Sequence, residues 1–156
     1  GKLILNSEEM RFLAIDPGEK NIGLALSDPT GTIASPLMVL KHSSRSEDAA
    51  AILDIAQKNE VQQIIVGQAL DEDGQPSFEG RKAARLAGAI RARTSLPVIL
   101  WDESESTQTA RAAQIHMETP RRKRRGHLDE LAAVVILQTY LDQLNKPSNE
   151  TDKNSN

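Results

Sequence analysis

A chain of 156 residues with no cysteine and a formal charge of −3 is long enough for one domain with its own core. It excludes disulfides, thiolate metal sites and a cysteine nucleophile. No apolar run approaches the roughly 20 residues that cross a bilayer, and the apolar part of Gly1–Asn6 is too short for a signal peptide. A protein of a reducing cytoplasm, with no membrane partner, is the expectation.

The charge is unevenly distributed. Arg121, Arg122, Lys123, Arg124 and Arg125 are consecutive, and without them 14 basic residues face 22 acidic ones, a net of −8. An acidic body carrying one dense basic run reads as a solvated segment or as a handle for phosphate. One tryptophan, one tyrosine and two phenylalanines leave few platforms on which splayed bases could stack, so recognition by shape and backbone is expected.

In chain order, Arg11–Asp16 and Asn21–Ser27 are short apolar runs separated by Pro17-Gly18-Glu19-Lys20, a hairpin signal. A break at Asp28-Pro29-Thr30-Gly31 precedes a third strand over Ile33–Leu40, edge-like because of Pro36. The period then changes. Ser46-Glu47-Asp48 reads as a helix start with acidic first-turn residues, followed by Ile52, Ile55 and Ala56 at helical spacing. Ile64-Ile65-Val66 is a buried strand ending at Gly67, and Asp71–Gly80 a polar loop.

Arg81–Arg93 predicts a helix with Ala84, Leu86, Ala87 and Ile90 inward, Pro97–Trp101 a strand, and Thr107–Met117 a helix. Leu128–Leu144 closes the domain as a helix with Leu131, Val134, Val135 and Leu141 as its apolar stripe. The fold class expected is α/β: a mixed five-stranded sheet, an antiparallel three-strand meander plus parallel strands, flanked by helices on both faces. The domain spans 11–145. Residues 1–10 are an N-terminal extension or a cloning remnant, with Met10 a possible natural start, and 146–156 a disordered tail.

Three acidic positions stand where such a sheet forms sites, at strand ends. Asp16 ends the first strand, Asp102-Glu103 the last, and Asp129 lies in the first turn of the closing helix, with Ala132-Ala133 small enough for close approach to the sheet. Singly, each also reads as a turn opener, a cap or a dipole partner. Jointly, converging carboxylates repel unless a cation neutralises them, and oxygen donors suit a hard divalent ion, Mg2+ or Mn2+. His42, His116 and His127 share no zinc-site spacing; His127, two residues before Asp129, is more readily a solvated imidazole than a proton shuttle. No serine has the context of a nucleophile elbow.

Ile15-Asp16-Pro17-Gly18-Glu19-Lys20-Asn21-Ile22-Gly23 resembles the opening motif of the YqgF/RuvX family. Trp101-Asp102-Glu103-Ser104-Glu105-Ser106-Thr107 is similar to its Asp-Glu-Arg-Leu-Thr-Thr-like segment, and Leu128-Asp129-Glu130-Leu131-Ala132-Ala133 to its closing Asp-x-x-Ala-Ala helix. Order and spacing agree from Arg11 to Leu144. The resemblance implies a ribonuclease H-like fold and a metal-dependent nuclease, linked to pre-16S ribosomal RNA maturation and to Holliday junction-like DNA.

It implies Asp16, Glu103 and Asp129 as catalytic metal ligands, with Asp102 a substitute or supporting ligand. Lys20 and the run Arg121, Arg122, Lys123, Arg124 and Arg125 would be phosphate contacts, with structured RNA or branched DNA as partner. Thr107 is better read as a helix cap than as a substrate contact. The chain departs from the family pattern at Asn21, where a basic residue is common, at Ser104 and Glu105, which replace arginine and leucine, and at Gly67-Gln68-Ala69, in place of Gly-x-Pro. Two competing readings remain: a non-catalytic RNA-binding or ribosome-assembly module, and a nucleotide-binding protein of the actin-like ATPase type, which needs a second facing domain.

Overall fold

The computed structural model describes residues 9–103 and 128–146. The expected helix Thr107–Met117, the basic run at 121–125, His116, His127 and the tail from 147 lie outside the described residues.

Strands β1 (Phe12–Pro17), β2 (Asn21–Ser27) and β3 (Ala34–Lys41) form the antiparallel meander. Helix α1 (Arg45–Lys58) carries the chain to β4 (Gln63–Ala69), which pairs parallel with β1. Helix α2 (Phe78–Arg91) leads to β5 (Val98–Glu103), parallel with β4, and α3 (Leu128–Leu144) is the last element. The sheet order is β3-β2-β1-β4-β5.

Both faces of β1 are covered, which is why Phe12, Leu13, Ala14 and Ile15 are all buried rather than alternating with polar residues. Leu13, Ile15, Ile22 and Leu24 pack against Ala49, Ile52 and Ala56 of α1 and Ala83, Leu86, Ala87 and Ile90 of α2. Phe12, Ala14, Ala25 and Ile65 pack against Ala133, Val134, Ile136, Leu137 and Leu141 of α3. The predicted stripe of α3 is buried, but so are Ala133, Ile136 and Leu137 between its members. The helix lies over β1, β2 and β3.

Helix starts differ from the sequence reading. Ser44, not Ser46, caps α1: its backbone is extended and its hydroxyl accepts the Glu47 amide at 3.1 Å. Ser46 is inside the first turn, where its hydroxyl takes a hydrogen bond from Arg93. Ser44-x-x-Glu47 is the better capping spacing because the third residue on carries the acid. Helix α2 begins at Phe78, three residues before the expected Arg81, with the Ser77 hydroxyl accepting the Gly80 amide at 3.1 Å. Phe78 is 61% exposed, so its turn adds nothing to the apolar periodicity. Strand β4 likewise runs past Gly67 to Ala69, because pairing with β5 continues through Gly67↔Trp101 to Ala69↔Glu103.

The β2–β3 turn is organised by Asp28. Its Oδ1 accepts the amides of Thr32 and Ile33, each at 2.9 Å, and its Oδ2 accepts the Thr30 hydroxyl. Slight burial raises the carboxyl pKa, but the hydrogen bonds from Ile33, Thr30 and Thr32 outweigh it and lower the value from 3.8 to about 2. Because the folded pKa is depressed, the ionised Asp28 contributes stability above pH 3.8 that is lost as pH falls toward about 2. Asp28→Asn should therefore lower the melting temperature near neutral pH, and the gap to the parent should close as pH falls through that window. Thermal unfolding against pH checks this; a gap constant down to about pH 2 would show that the charge is irrelevant to the turn.

Candidate active site at the carboxyl edge of the sheet

The parallel strands β1, β4 and β5 all end at the same edge, and this is where the candidate residues fall. Asp16 is the penultimate residue of β1, and Ile15 is level with Val66. The next level is Gly67 with Trp101, and Glu103 lies two residues further along β5, opposite Ala69. Alternation separates the two acids of β5. Position 103 follows Ile99 and Trp101, which pack beneath α3, whereas Asp102 follows Val98 and Leu100, which pack toward α1 and α2. Asp102 is exposed and sits opposite Gln68, whose amide donates to the Gly80 carbonyl of α2 at 3.0 Å.

Asp16 shares the α3 face with Phe12 and Ala14. It is half-buried, and beside it the β1–β2 turn is closed by the Gly18 amide donating to the Asn21 carbonyl at 2.9 Å. A β-carbon on Gly18 would lie 2.4 Å from that carbonyl oxygen, so the tight turn that presents Asp16 requires glycine there.

The direction of α3 is set at its far end. Asn145 donates to the Gly31 carbonyl and Gln138 to the Thr32 carbonyl, both at 3.0 Å and both in the β2–β3 turn, at the opposite edge. Its amino end therefore points to the carboxyl edge. Gln138 also accepts the Ala34 amide at 3.0 Å, and Trp101 donates to the Thr139 hydroxyl at 3.1 Å. These bonds hold the helix against β3 on one side and β5 on the other. Position 129 stands one turn before Ala133 and two turns before Ile136, both fully buried against the sheet. Its backbone is in the first turn of α3; Glu103 and Asp129 are placed here by their backbone alone.

Ile136 meets the sheet at Gly67. A β-carbon there would lie 2.3 Å from its Cδ1 and 2.9 Å from its Cγ1. Gly67 therefore lets α3 settle on the strand beside Asp16. The small residue at this contact is Gly67 of β4; of the pair Ala132-Ala133, Ala133 is fully buried and Ala132 half-buried.

A cleft of about 400 Å3 opens at this edge, lined by Asp16, Pro17, Gly18, Glu19, Gly67, Ala69 and Glu79. Three of these are acids and none is a cation. Glu79 is not singled out by the sequence, because its turn of α2 carries no apolar periodicity. The Ser77 cap with an acid two residues on was the signal available. Lys20 is exposed on the turn, and its carbonyl accepts the His42 amide at 2.8 Å.

Residues 10–143 match the model of a family described as RuvX, Holliday junction resolvase. This chain belongs to the RuvX family. A relative from Syntrophus aciditrophicus, named "Putative pre-16S rRNA nuclease", is 38% identical over 93% of this chain and 99% of its own length. One of the same name from Thermoanaerobacter pseudethanolicus is 42% identical over 88% of this chain and all of its own length.

Among solved structures, RuvC of T. thermophilus in complex with a Holliday junction substrate superposes with a TM-score of 0.57 at 16% identity, covering 88% of this chain and 97% of that one. The Fowlpox virus resolvase with Holliday junction DNA gives 0.56 at 13% identity, over 88% and 100%. At such identities the likeness is one of fold, and the fold is the expected ribonuclease H-like one.

Among the described residues no helix is long and apolar enough to cross a membrane.

Proposed function

We propose that this RuvX-family chain is a divalent-metal-dependent endonuclease of the cytoplasm. It hydrolyses phosphodiester bonds in structured nucleic acid, with precursor 16S ribosomal RNA as the favoured substrate and branched DNA as the second. The observation that carries this reading is the common edge shared by Asp16, position 103 and the amino end of α3.

Asp16 and position 103 stand on one face at this edge. Two strand spacings separate β1 from β5 laterally, about 10 Å, and the two-residue offset adds about 7 Å along the strands, so their α-carbons are roughly 12 Å apart. A cation held at this edge would complete its shell with water and substrate oxygens. The donor set is all carboxylate, which fits Mg2+ or Mn2+ rather than a softer ion. Asp16, Glu103 and Asp129 would hold the metal, which when bound supplies an activated water and neutralises charge on the reacting phosphoryl group. Glu19 and Glu79 deepen the negative field that draws the cation in.

Phosphate contacts are assigned to Lys20 and to Arg121, Arg122, Lys123, Arg124 and Arg125. If all five residues of the run touch phosphates, neutralising them flattens the log-affinity against log-salt slope by about 3 to 5 units.

The test is cleavage of a stem–loop RNA with single-stranded flanks and of a four-way DNA junction, with EDTA, Mg2+ or Mn2+. Metal-dependent cleavage of the RNA, stronger than of the junction, is expected. Cleavage undiminished in EDTA would overturn the metal reading, and binding without any cleavage would favour a non-catalytic RNA module.

A further inference from the structure

A second pocket lies just across the β1–β2 turn from the acidic cleft, on the α1 and α2 side of the sheet. Its volume is about 260 Å3, and Pro17, Gly18 and Glu19 line both it and the cleft. The turn is thus a ridge with a depression on each side.

The two depressions have opposite electrostatic character. Arg45, Lys82 and Arg85 line this one. Arg45 opens α1, while Lys82 and Arg85 are three residues apart on α2 and so share a face. Among the described residues, the side chains of Arg45 and Arg85 make no ion pair or hydrogen bond. The Lys82 ammonium lies 4.7 Å from the Phe78 ring centroid, which braces its stem toward the start of α2. Of the two acids present, Asp48 is 4% exposed and already committed: it pairs with His42 Nδ1 at 2.5 Å and accepts the Ser43 amide at 3.0 Å. Glu19 is the acid left to oppose the three cations. Ile22 and Leu86 supply apolar wall, and the space is below the roughly 300–1,000 Å3 of sites that enclose a drug-sized ligand. It suits one group of a polymer passing over the surface.

We propose that the Arg45–Lys82–Arg85 pocket seats a backbone phosphate of the nucleic-acid strand whose neighbouring linkage lies in the Asp16 cleft, the chain crossing the Pro17–Glu19 ridge between them. This rests on the nuclease reading and assigns the path of its substrate. An acidic cleft repels a phosphodiester until a cation enters it, so an anchor outside the cleft is needed to bring the strand there and hold its register. The pocket provides it. It also answers the absence of a basic residue at Asn21 and of the arginine at Ser104, because three cations stand on the other side of the same turn.

The experiment compares Arg45→Gln/Lys82→Gln/Arg85→Gln with Lys58→Gln, an exposed lysine elsewhere on α1, each in an Asp16→Asn background that cannot cleave. Fluorescence anisotropy follows binding of the stem–loop RNA across a salt series. The triple variant should bind at least about tenfold more weakly, with a salt slope flatter by roughly 0.7–0.9 for each phosphate no longer neutralised. The lysine control should match its parent. Replacing single linkages by neutral methylphosphonates should find one that weakens the parent but leaves the triple variant unaffected.

Far-UV circular dichroism checks the fold, and the single change at exposed Arg85 carries the comparison should the triple variant not fold. Unchanged affinity and slope, in a protein whose Asp16-bearing form cleaves, would sink the pocket and leave the nuclease standing. Weaker binding in a protein that never cleaves would sink the nuclease and leave the pocket. Inorganic phosphate raising the melting temperature of the parent but not of the triple variant, with RNA affinity unaltered, would make this a free-anion site and overturn the strand path.

Discussion

Asp16→Asn should reduce phosphodiester cleavage by at least about a thousandfold while leaving the fold intact. Asp16 is the penultimate residue of a strand whose preceding residues are buried, and it lines the cleft with Glu19 and Glu79. Neutralising one of several facing carboxylates relieves like-charge repulsion, so the metal-free variant should melt no lower than the parent. A second readout separates metal binding from catalysis. Mn2+ should raise the melting temperature of the parent, by linkage between binding and folding, and should do so little or not at all in the variant. Glu103→Gln and Asp129→Asn should behave alike, and pairs of these changes should lose little more than one, because ligands of one ion act as a unit. An Asp16→Asn protein that cleaves as fast as the parent would place the chemistry elsewhere.

The second large effect is expected at Gly67, where the consequence is mechanical. An alanine β-carbon would press on Ile136, a fully buried β-branched side chain with little freedom to turn away. Overpacking of this kind costs about 1–3 kcal/mol, a drop of roughly 3–10 °C in melting temperature for a domain of this size. The strain is relieved by moving α3 off the strand, and α3 carries position 129. Gly67→Ala should therefore also depress cleavage beyond what its stability loss explains, with metal affinity falling in parallel.

Adding Ile136→Val removes the Cδ1 atom that lies nearest, so the double variant should be more stable than Gly67→Ala alone, a favourable coupling between neighbours. Calorimetry and cleavage rates on the two single variants and the double check this. A Gly67→Ala protein as stable and active as the parent would mean that the helix does not need this close seat.

The three-strand meander, the switch to parallel pairing and the end of α3 at Leu144 were legible in the residues. Pro17-Gly18 and Pro29-Thr30-Gly31 punctuate the strands by backbone chemistry that acts locally. The apolar runs of β1, β4 and α3 are dense because both faces of the sheet are covered. The acidic positions could be picked out for the same reason, since a strand or helix terminus is a local feature.

What the sequence did not reveal is of two kinds: helix starts, fixed by capping bonds between near neighbours, and features fixed by contacts between distant segments. Ser44 displaced Ser46 as the cap, and α2 began at exposed Phe78, because the start of a helix is decided by which hydroxyl meets a free amide, not by apolar spacing. Pairing with β5 drew β4 past Gly67. Asp102 and Glu103 are chemically similar neighbours in sequence, and only strand alternation against α3 puts position 103 on the face of Asp16. Glu79, and the joining of Arg45 to Lys82 and Arg85 across two helices, depend on elements far apart in the chain meeting at one turn. A sequence determines by itself what each short segment prefers. Which charges share a cleft is settled by the sheet, because pairing and packing bring distant segments within the few ångströms at which charges act on one another.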